Sequence, residues 1–387
     1  MKIKPAQRVT LLPPYLFAEI DRQKNILRKQ GKDIIDLSVG DPDLEPPAFM
    51  LRELKKALDL PAIHRYPPYQ GTSEFCESIA RWYAETLNVK INPGQEIWSL
   101  IGSKEGLAHL TLSLVNPGEI VLVPDPCFPM YRSSVLFAGG VVHLMPLRKE
   151  NNFLPDLSAI KPSVARRAKL MFLNYPNNPT GAVATRRFYE EVIKFARKYN
   201  IIVCQDSAYS EIYYGERPVS FLEIPGAKEV GVETCSFTKT FNIAGWRVGW
   251  VAGRAEVVQA VGRLKTNLDS GVFMAFQKVC SLALKKGAPV VERIRKIYQE
   301  RRDILADGLT ALGWRVQKPQ ATFYLWAEVP GCDSSLQMSK RLLEKYYIST
   351  TPGIGFGAQG EGYIRFALTQ DKKRIAQAIE RLKNFKV

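Results

Sequence analysis

Lys239 lies in the run Ser236-Phe-Thr-Lys239-Thr-Phe-Asn-Ile-Ala-Gly-Trp-Arg247-Val-Gly, just after a strand-like apolar stretch, with hydroxyls on both sides and an arginine eight residues on. An amine at that point is poorly placed for solvent. Lys, Arg, Ser and Thr together suit an amine held beside a phosphate; the plainer alternative is a surface lysine in a glycine-rich turn. Gly102-Ser103-Lys104 should close a strand and open a helix, so its free backbone N–H groups and the positive end of the helix dipole suit the same phosphate, with Ser236 and Arg247 completing the cradle. Taken alone, that glycine turn would be an ordinary strand-to-helix connection. Asp206, at the C-terminal end of an apolar strand, is costly to bury without a cationic partner, unless it only caps a helix. Arg365, in a short strand, presents a fork of donors that binds a carboxylate through two parallel hydrogen bonds, or else pairs internally.

Other segments stand in a telling order around these: Tyr66-Pro-Pro-Tyr-Gln-Gly71, Gly102-Ser-Lys-Glu-Gly106, Asp125-Pro-Cys-Phe128-Pro, Asn174-Tyr-Pro-Asn-Asn178-Pro-Thr-Gly181, Asp206-Ser-Ala-Tyr209, Gly353-Ile-Gly-Phe-Gly357 and Tyr363-Ile-Arg365-Phe-Ala. With the Lys239 run, the set resembles the class I/II aminotransferases, the fold-type I family of pyridoxal-phosphate enzymes, over nearly the whole chain. The resemblance implies that Lys239 is bonded to pyridoxal 5′-phosphate and then acts as general base and acid at the substrate Cα. It implies that Asp206 keeps the ring nitrogen protonated, which makes the ring an electron sink. Tyr209 and Asn178 would hydrogen-bond the phenolic oxygen, and Phe128 would stack on the ring, where many relatives carry Tyr or Trp. Ser103, Lys104, Ser236 and Arg247 would hold the phosphate. Tyr66 matches the tyrosine that reaches the phosphate across a dimer interface, with Tyr69 a competing tyrosine nearby, so a homodimer with shared active sites is implied. Arg365 would bind the substrate α-carboxylate.

The elements needed to carry these residues can be read from the hydrophobic pattern. Between about 96 and 253, short β-rich runs (Glu96 to Gly102, Glu119 to Pro124, Gly140 to Leu147, Lys169 to Tyr175, Ile201 to Asp206, Glu233 to Phe237 and Val248 to Ala252) alternate with helical spacing at Glu105 to Leu114 and Arg187 to Tyr199. That is the signature of an α/β domain with a mainly parallel seven-stranded sheet. Beyond it, a long helical stretch from Val290 to Leu312 precedes strand-like Trp314-Arg-Val, Phe323 to Ala327 and Tyr363 to Leu368, then a closing helix from Lys372 to Lys383. This reads as a smaller α+β domain. We expect an N-terminal arm at 1–44, with strand-like Ile34 to Val39 packing on the small domain, a large domain at 45–275 and the small domain at 276–387.

Composition narrows the class. A chain of 387 residues, 46% apolar, can bury a large core. Its longest apolar runs are far shorter than the roughly 20 residues of a membrane-spanning helix, and no export signal is evident. Six scattered cysteines without a Cys-x-x-Cys pair fit a reducing cytoplasm, and three histidines without i, i+4 spacing argue against a metal site. The net charge of +16 is spread over many short basic pairs, which favours an anionic small substrate over nucleic acid.

Within the family, Tyr15-Leu-Phe, Gly40-Asp-Pro, Gly102-Ser-Lys-Glu-Gly, Asn267-Leu-Asp-Ser-Gly-Val-Phe and Gly360-Glu-Gly-Tyr-Ile-Arg365 are most similar to the branch that transaminates LL-diaminopimelate. That likeness implies substrate contacts from Tyr15, Gly40, Asn178, Asn267 and Arg365, with tetrahydrodipicolinate and glutamate as partners in lysine biosynthesis. Ser38 departs from the glycine expected two residues before Gly40, and its side chain could narrow the approach. No arginine stands in 267–273 for a distal carboxylate, which argues against a dedicated aspartate enzyme. A transaminase for aspartate, alanine or aromatic amino acids and a carbon–sulfur β-lyase stay open. A DNA-binding regulator on this scaffold would need a helix-turn-helix domain ahead of the short arm, for which the sequence has no room.

Overall fold

The computed structural model describes residues 3–12, 16–331 and 333–385. A short β1 (Ile35–Asp36) precedes the seven strands of a central sheet: β2 (Ile97–Leu100), β3 (Ile120–Asp125), β4 (Val141–Pro146), β5 (Ala168–Asn174), β6 (Ile202–Asp206), β7 (Gly231–Ser236) and β8 (Gly249–Gly253). The seven apolar runs thus become seven strands, with ends within about two residues of those expected. Their order is β2-β8-β7-β6-β5-β3-β4, and every neighbouring pair is parallel except those made by β8. β3 and β7 are buried at every residue, because helices cover both faces, whereas the edge strand β4 is mostly exposed or half-buried.

The covering helices form for local reasons as well. Helix Arg186–Tyr199 opens on Thr185, whose side chain accepts from the Phe188 N–H, and closes on Asn200 in the left-handed region; Phe188, Val192, Ile193 and Ala196 make its buried stripe. Helix Ser103–Leu114 starts two residues before the expected point, straight from Gly102. The consequence for function is positional. The C-terminal ends of β2, β3, β5, β6 and β7 open along one edge, and β8, running the other way, begins at that same edge. Strand order turns back between β3 and β5, where open α/β sheets form a ligand crevice.

After helix Ala288–Ala311 come β9 (Tyr324–Glu328), β10 (Ile348–Ser349), β11 (Thr351–Pro352), β12 (Tyr363–Ala367) and the closing helix Lys372–Leu382. β11, β12 and β9 form an antiparallel sheet in that order, and β1 pairs in parallel with β10, Ile35 opposite Ile348. Ile35, Leu37, Phe323, Leu325 and Phe366 share a second buried core. Two expected strands are shortened. The Asp36 carboxylate accepts from the Ser38 N–H and Oγ, which turns the chain after two strand residues. Trp314 is drawn into the core against Phe366 and Phe385, so its segment makes only an isolated bridge between Val316 and Ala327.

Candidate active site

A cavity of about 370 Å³ opens at the C-terminal edge of the central sheet, and it is lined by Gly40, Ser103, Lys104, Phe128, Asn178, Asp206, Tyr209, Ser236, Lys239, Arg247 and Arg365. Lys239 belongs to the short helix Phe237–Thr240 that follows β7, where the Ser236 Oγ accepts from the Thr238 N–H. Its Nζ donates to the Gly40 carbonyl at 2.8 Å. Burial holds the amine down, to about 8, and the nearby Arg247 and Arg365 cations act in the same sense against Asp41. A lysine so placed is a nucleophile in waiting rather than a surface charge.

Asp206 ends β6 and is buried. Its Oδ2 accepts from the Tyr131 hydroxyl at 2.8 Å and its Oδ1 from the Ala208 N–H at 3.2 Å, while Asn174 Nδ2 donates to its backbone carbonyl. Burial pushes its carboxyl up to about 6. No cationic side chain among the described residues pairs with it, so the carboxylate is a buried anion facing a cavity.

Gly102 caps helix Ser103–Leu114 with a φ of 78°, and a side chain there would occupy the place of the Arg247 guanidinium. Arg247, itself in the left-handed region, donates to the Ala244 carbonyl at 3.0 Å and faces the helix's first turn. The free N–H groups of that turn, Ser103, Ser236, Lys104 and Arg247 therefore converge on one end of the cavity, where they suit an anion.

At the other end β12 delivers Arg365, which is buried. Its Nη1 donates to Asn178 Oδ1 at 2.8 Å and its Nη2 to the Ser38 carbonyl at 2.7 Å. The guanidinium lies over the rings of Tyr324 and Phe356. Tyr209 shares a 2.9 Å hydrogen bond between hydroxyls with Tyr324, and a side chain at Gly40 would collide with that same Tyr324 hydroxyl. Ser38 does not narrow the approach: its hydroxyl is directed to Asp36, away from the cavity lining.

Two of the candidate residues lie elsewhere on this chain, and one is outside the described residues. Tyr66 is 88% exposed and Asn267 is exposed at the end of helix Ala255–Leu268, with its amide donating to the Arg263 carbonyl; neither lines the cavity. Tyr15 lies outside the described residues. Tyr131, Tyr324, Asn174 and Phe356 line the cavity without having been singled out from sequence. Asn174 and Phe356 stand in runs already named, whereas nothing in the local sequence marked Tyr324 or Tyr131, whose ring meets that of Phe128 edge to face.

The model of the aminotransferase class I and II family matches residues 32–382. The chain is 51% identical over 384 residues, 99% of each sequence, to an LL-diaminopimelate aminotransferase of Syntrophobacter fumaroxidans, and 50% identical over 98% of each to one from Moorella thermoacetica. Among solved structures, apo-BacF from Bacillus subtilis superposes with a TM-score of 0.96 at 38% identity, covering 100% of this chain and 99% of that one. An amine of lowered basicity and a buried carboxylate lining one cavity, set in a fold and a sequence shared end to end with these proteins, identify the chain as a member of the class I and II aminotransferases, the pyridoxal-phosphate-dependent transaminases.

Proposed function

We propose that this chain binds pyridoxal 5′-phosphate in the cavity and transfers the amino group between LL-diaminopimelate and a 2-oxo acid, the glutamate–tetrahydrodipicolinate exchange of lysine biosynthesis. The observation that carries the reading is the presence, in one cavity, of the Lys239 amine held down to about 8 and of the Asp206 carboxylate, buried without a cationic partner. The residues present fit the cofactor. Ser103, Lys104, Ser236 and Arg247 would hold its phosphate, Phe128 would lie against the ring, Asn178 and Tyr209 would meet the phenolic oxygen, and Asp206 would supply the anion that a protonated ring nitrogen requires.

When bound, the cofactor supplies an aldehyde for the amine and a cationic ring that withdraws electrons from the substrate Cα. The chain's own residues do the rest. Arg365 binds the α-carboxylate through its fork of donors, and Asn178, already bonded to that guanidinium, fixes its direction. Lys239 Nζ takes the Cα proton and later returns it; an amine held near 8 is matched to both roles close to neutrality. Tyr209 is kept in place by Tyr324.

The diaminopimelate assignment rests on the names carried by the full-length relatives and on Arg365 and Asn178 at the carboxylate end. The same reading assigns 1–44 to an arm, 45–275 to a cofactor-binding domain and 276–387 to a smaller domain, and makes the protein a cytoplasmic homodimer in which the exposed Tyr66 and Asn267 serve the partner's cavity. The five described cysteines are all free and buried, in keeping with a reducing compartment. Among the described residues no helix is long and apolar enough to cross a membrane.

The test is direct. Purified protein loaded with pyridoxal phosphate should show a visible absorption band that borohydride bleaches while fixing the cofactor onto Lys239, and should convert LL-diaminopimelate with 2-oxoglutarate. Lys239→Ala should lose the band and lower kcat by at least roughly a thousandfold. A variant that keeps both, or a wild type that ignores LL-diaminopimelate while using aspartate or releasing pyruvate from thioethers, refutes the reading.

A further inference from the structure

Besides Asp206, the acid that lines the cavity is Asp21, from helix Leu16–Lys29. Its side chain is 53% exposed, and its Oδ1 accepts from Lys24 Nζ at 2.6 Å. Lys24 itself is buried, with 3% of its side chain exposed, and donates also to Asp36 Oδ2 at 2.6 Å. An ammonium is unfavourable in the interior unless it is paired, and here the pairing has a directional result: one buried lysine pins a half-exposed carboxylate to the cavity wall. One cation shared between two carboxylates leaves negative charge there, offset only in part by Arg28, 3.7 Å from Asp36.

The position of that wall follows from a continuous line of contacts. Asp36 Oδ1 accepts from the Ser38 N–H and hydroxyl, and the Ser38 carbonyl accepts from Arg365 Nη2. Asp21 therefore stands on the Arg365 side of the cavity, linked to that arginine through Lys24, Asp36 and Ser38. The other ionised groups of the lining, Lys104, Lys239, Arg247 and Arg365, are cations suited to a phosphate and a carboxylate. With Asp206 buried at the base, Asp21 is the lining group that can attract an ammonium at the mouth.

We propose that Asp21, held by Lys24, binds the ammonium at the far end of a diamino acid whose α-carboxylate is on Arg365, and so selects donors that carry an ammonium at that end. This rests on the transaminase reading above and deepens it by naming what distinguishes the donor. The contact is an ion pair at the edge of solvent that becomes covered when substrate binds.

The experiment compares two donors of the holoenzyme that differ by one amine: LL-diaminopimelate, and L-2-aminopimelate, which lacks the far amine. The ratio of their kcat/KM values is the readout. Wild type should favour the diamino acid, Asp21→Asn should lower the ratio by about fivefold, the scale of a partly exposed ion pair, chiefly through KM. Asp21→Glu should recover it. A ratio unchanged in Asp21→Asn overturns the proposal alone, as does an equal loss on both donors, which marks a merely structural helix. A wild type with no preference for the diamino acid overturns this proposal and the diaminopimelate reading together.

Discussion

Lys239 and Asp206 are both displaced from their ordinary ionisation by the same cause, burial, and the displacements act in opposite directions on charge. With its amine held down to about 8, Lys239 becomes increasingly nucleophilic as pH rises through that value. The rate at which apoprotein takes up pyridoxal phosphate, followed by its visible band, should therefore climb through about pH 8 and level off above it; a flat profile contradicts this. For Asp206 the folded value, about 6, lies above the ordinary 3.8, so the native state keeps a proton that the unfolded chain releases. Apoprotein stability should fall as pH rises between those values and stay lower above them, by about 3 kcal/mol for two units. Asp206→Asn removes that cost, so at pH 8 its apo form should unfold at a higher denaturant midpoint than wild type, while transamination drops by roughly a hundredfold or more. An apo variant less stable than wild type at that pH would contradict the linkage. Lys239, Asp206, Asn178 and Arg365 were legible in the sequence because each stands in a short run whose composition is unusual for plain structure. Tyr131, Tyr324 and Asp21 were not. Each reaches the cavity from an element whose local sequence is that of ordinary core or amphipathic helix, and only the tertiary packing turns it inward.

The helix that begins at Ser103 is anchored by more than its glycine. Glu105 Oε2 accepts from the Ile101 N–H, and its Oε1 accepts from Lys265 Nζ at 2.6 Å; Lys265, fully buried, also donates to Asp269. Glu105, His109 and Asp269 gather within 4.8 Å of one another around that ammonium. The cluster ties the first turn of the cradle to the end of helix Ala255–Leu268 and to the segment whose Gly271 packs on Pro67 and Pro68, next to Tyr66. Lys265→Met would strand two carboxylates, and the expected loss is about 3–5 kcal/mol in denaturant unfolding; a loss below about 1 kcal/mol would show that the cluster bears no such weight. None of this was visible beforehand, because the partners are 160 residues apart. The seven sheet strands were, since strands covered on both faces are written as continuous apolar runs. Ile34 to Val39 has the same apolar look, and there a single side chain, Asp36, overrode it.

At the scale of the whole molecule, the proposed dimer can be tested at Tyr66. Tyr66 is 88% exposed, Tyr69 and Leu268 are exposed as well, His64 stacks on Phe273, and none of these lines the chain's own cavity. If cavities are shared across a dimer, Lys239→Ala and Tyr66→Ala should complement: in a mixed dimer one cavity carries both defects and the other none. Co-refolding the two inactive variants in equal amounts should then restore about a quarter of wild-type activity, because about half of the dimers are mixed and each has one sound site. No recovery would place Tyr66 outside any shared site. The segment around Gly40 carries a different consequence. It is bound on one side by the last third of the chain, where the Ala367 N–H donates to the Leu37 carbonyl and Arg365 to that of Ser38, and on the other by the Lys239 amine. Lys239 is thus made in synthesis well before β12, the strand whose residues hold the Gly40 segment that covers its amine. A chain truncated ahead of Arg365 should therefore carry every residue of the cradle and still lack the contacts that hold the Gly40 segment against Lys239.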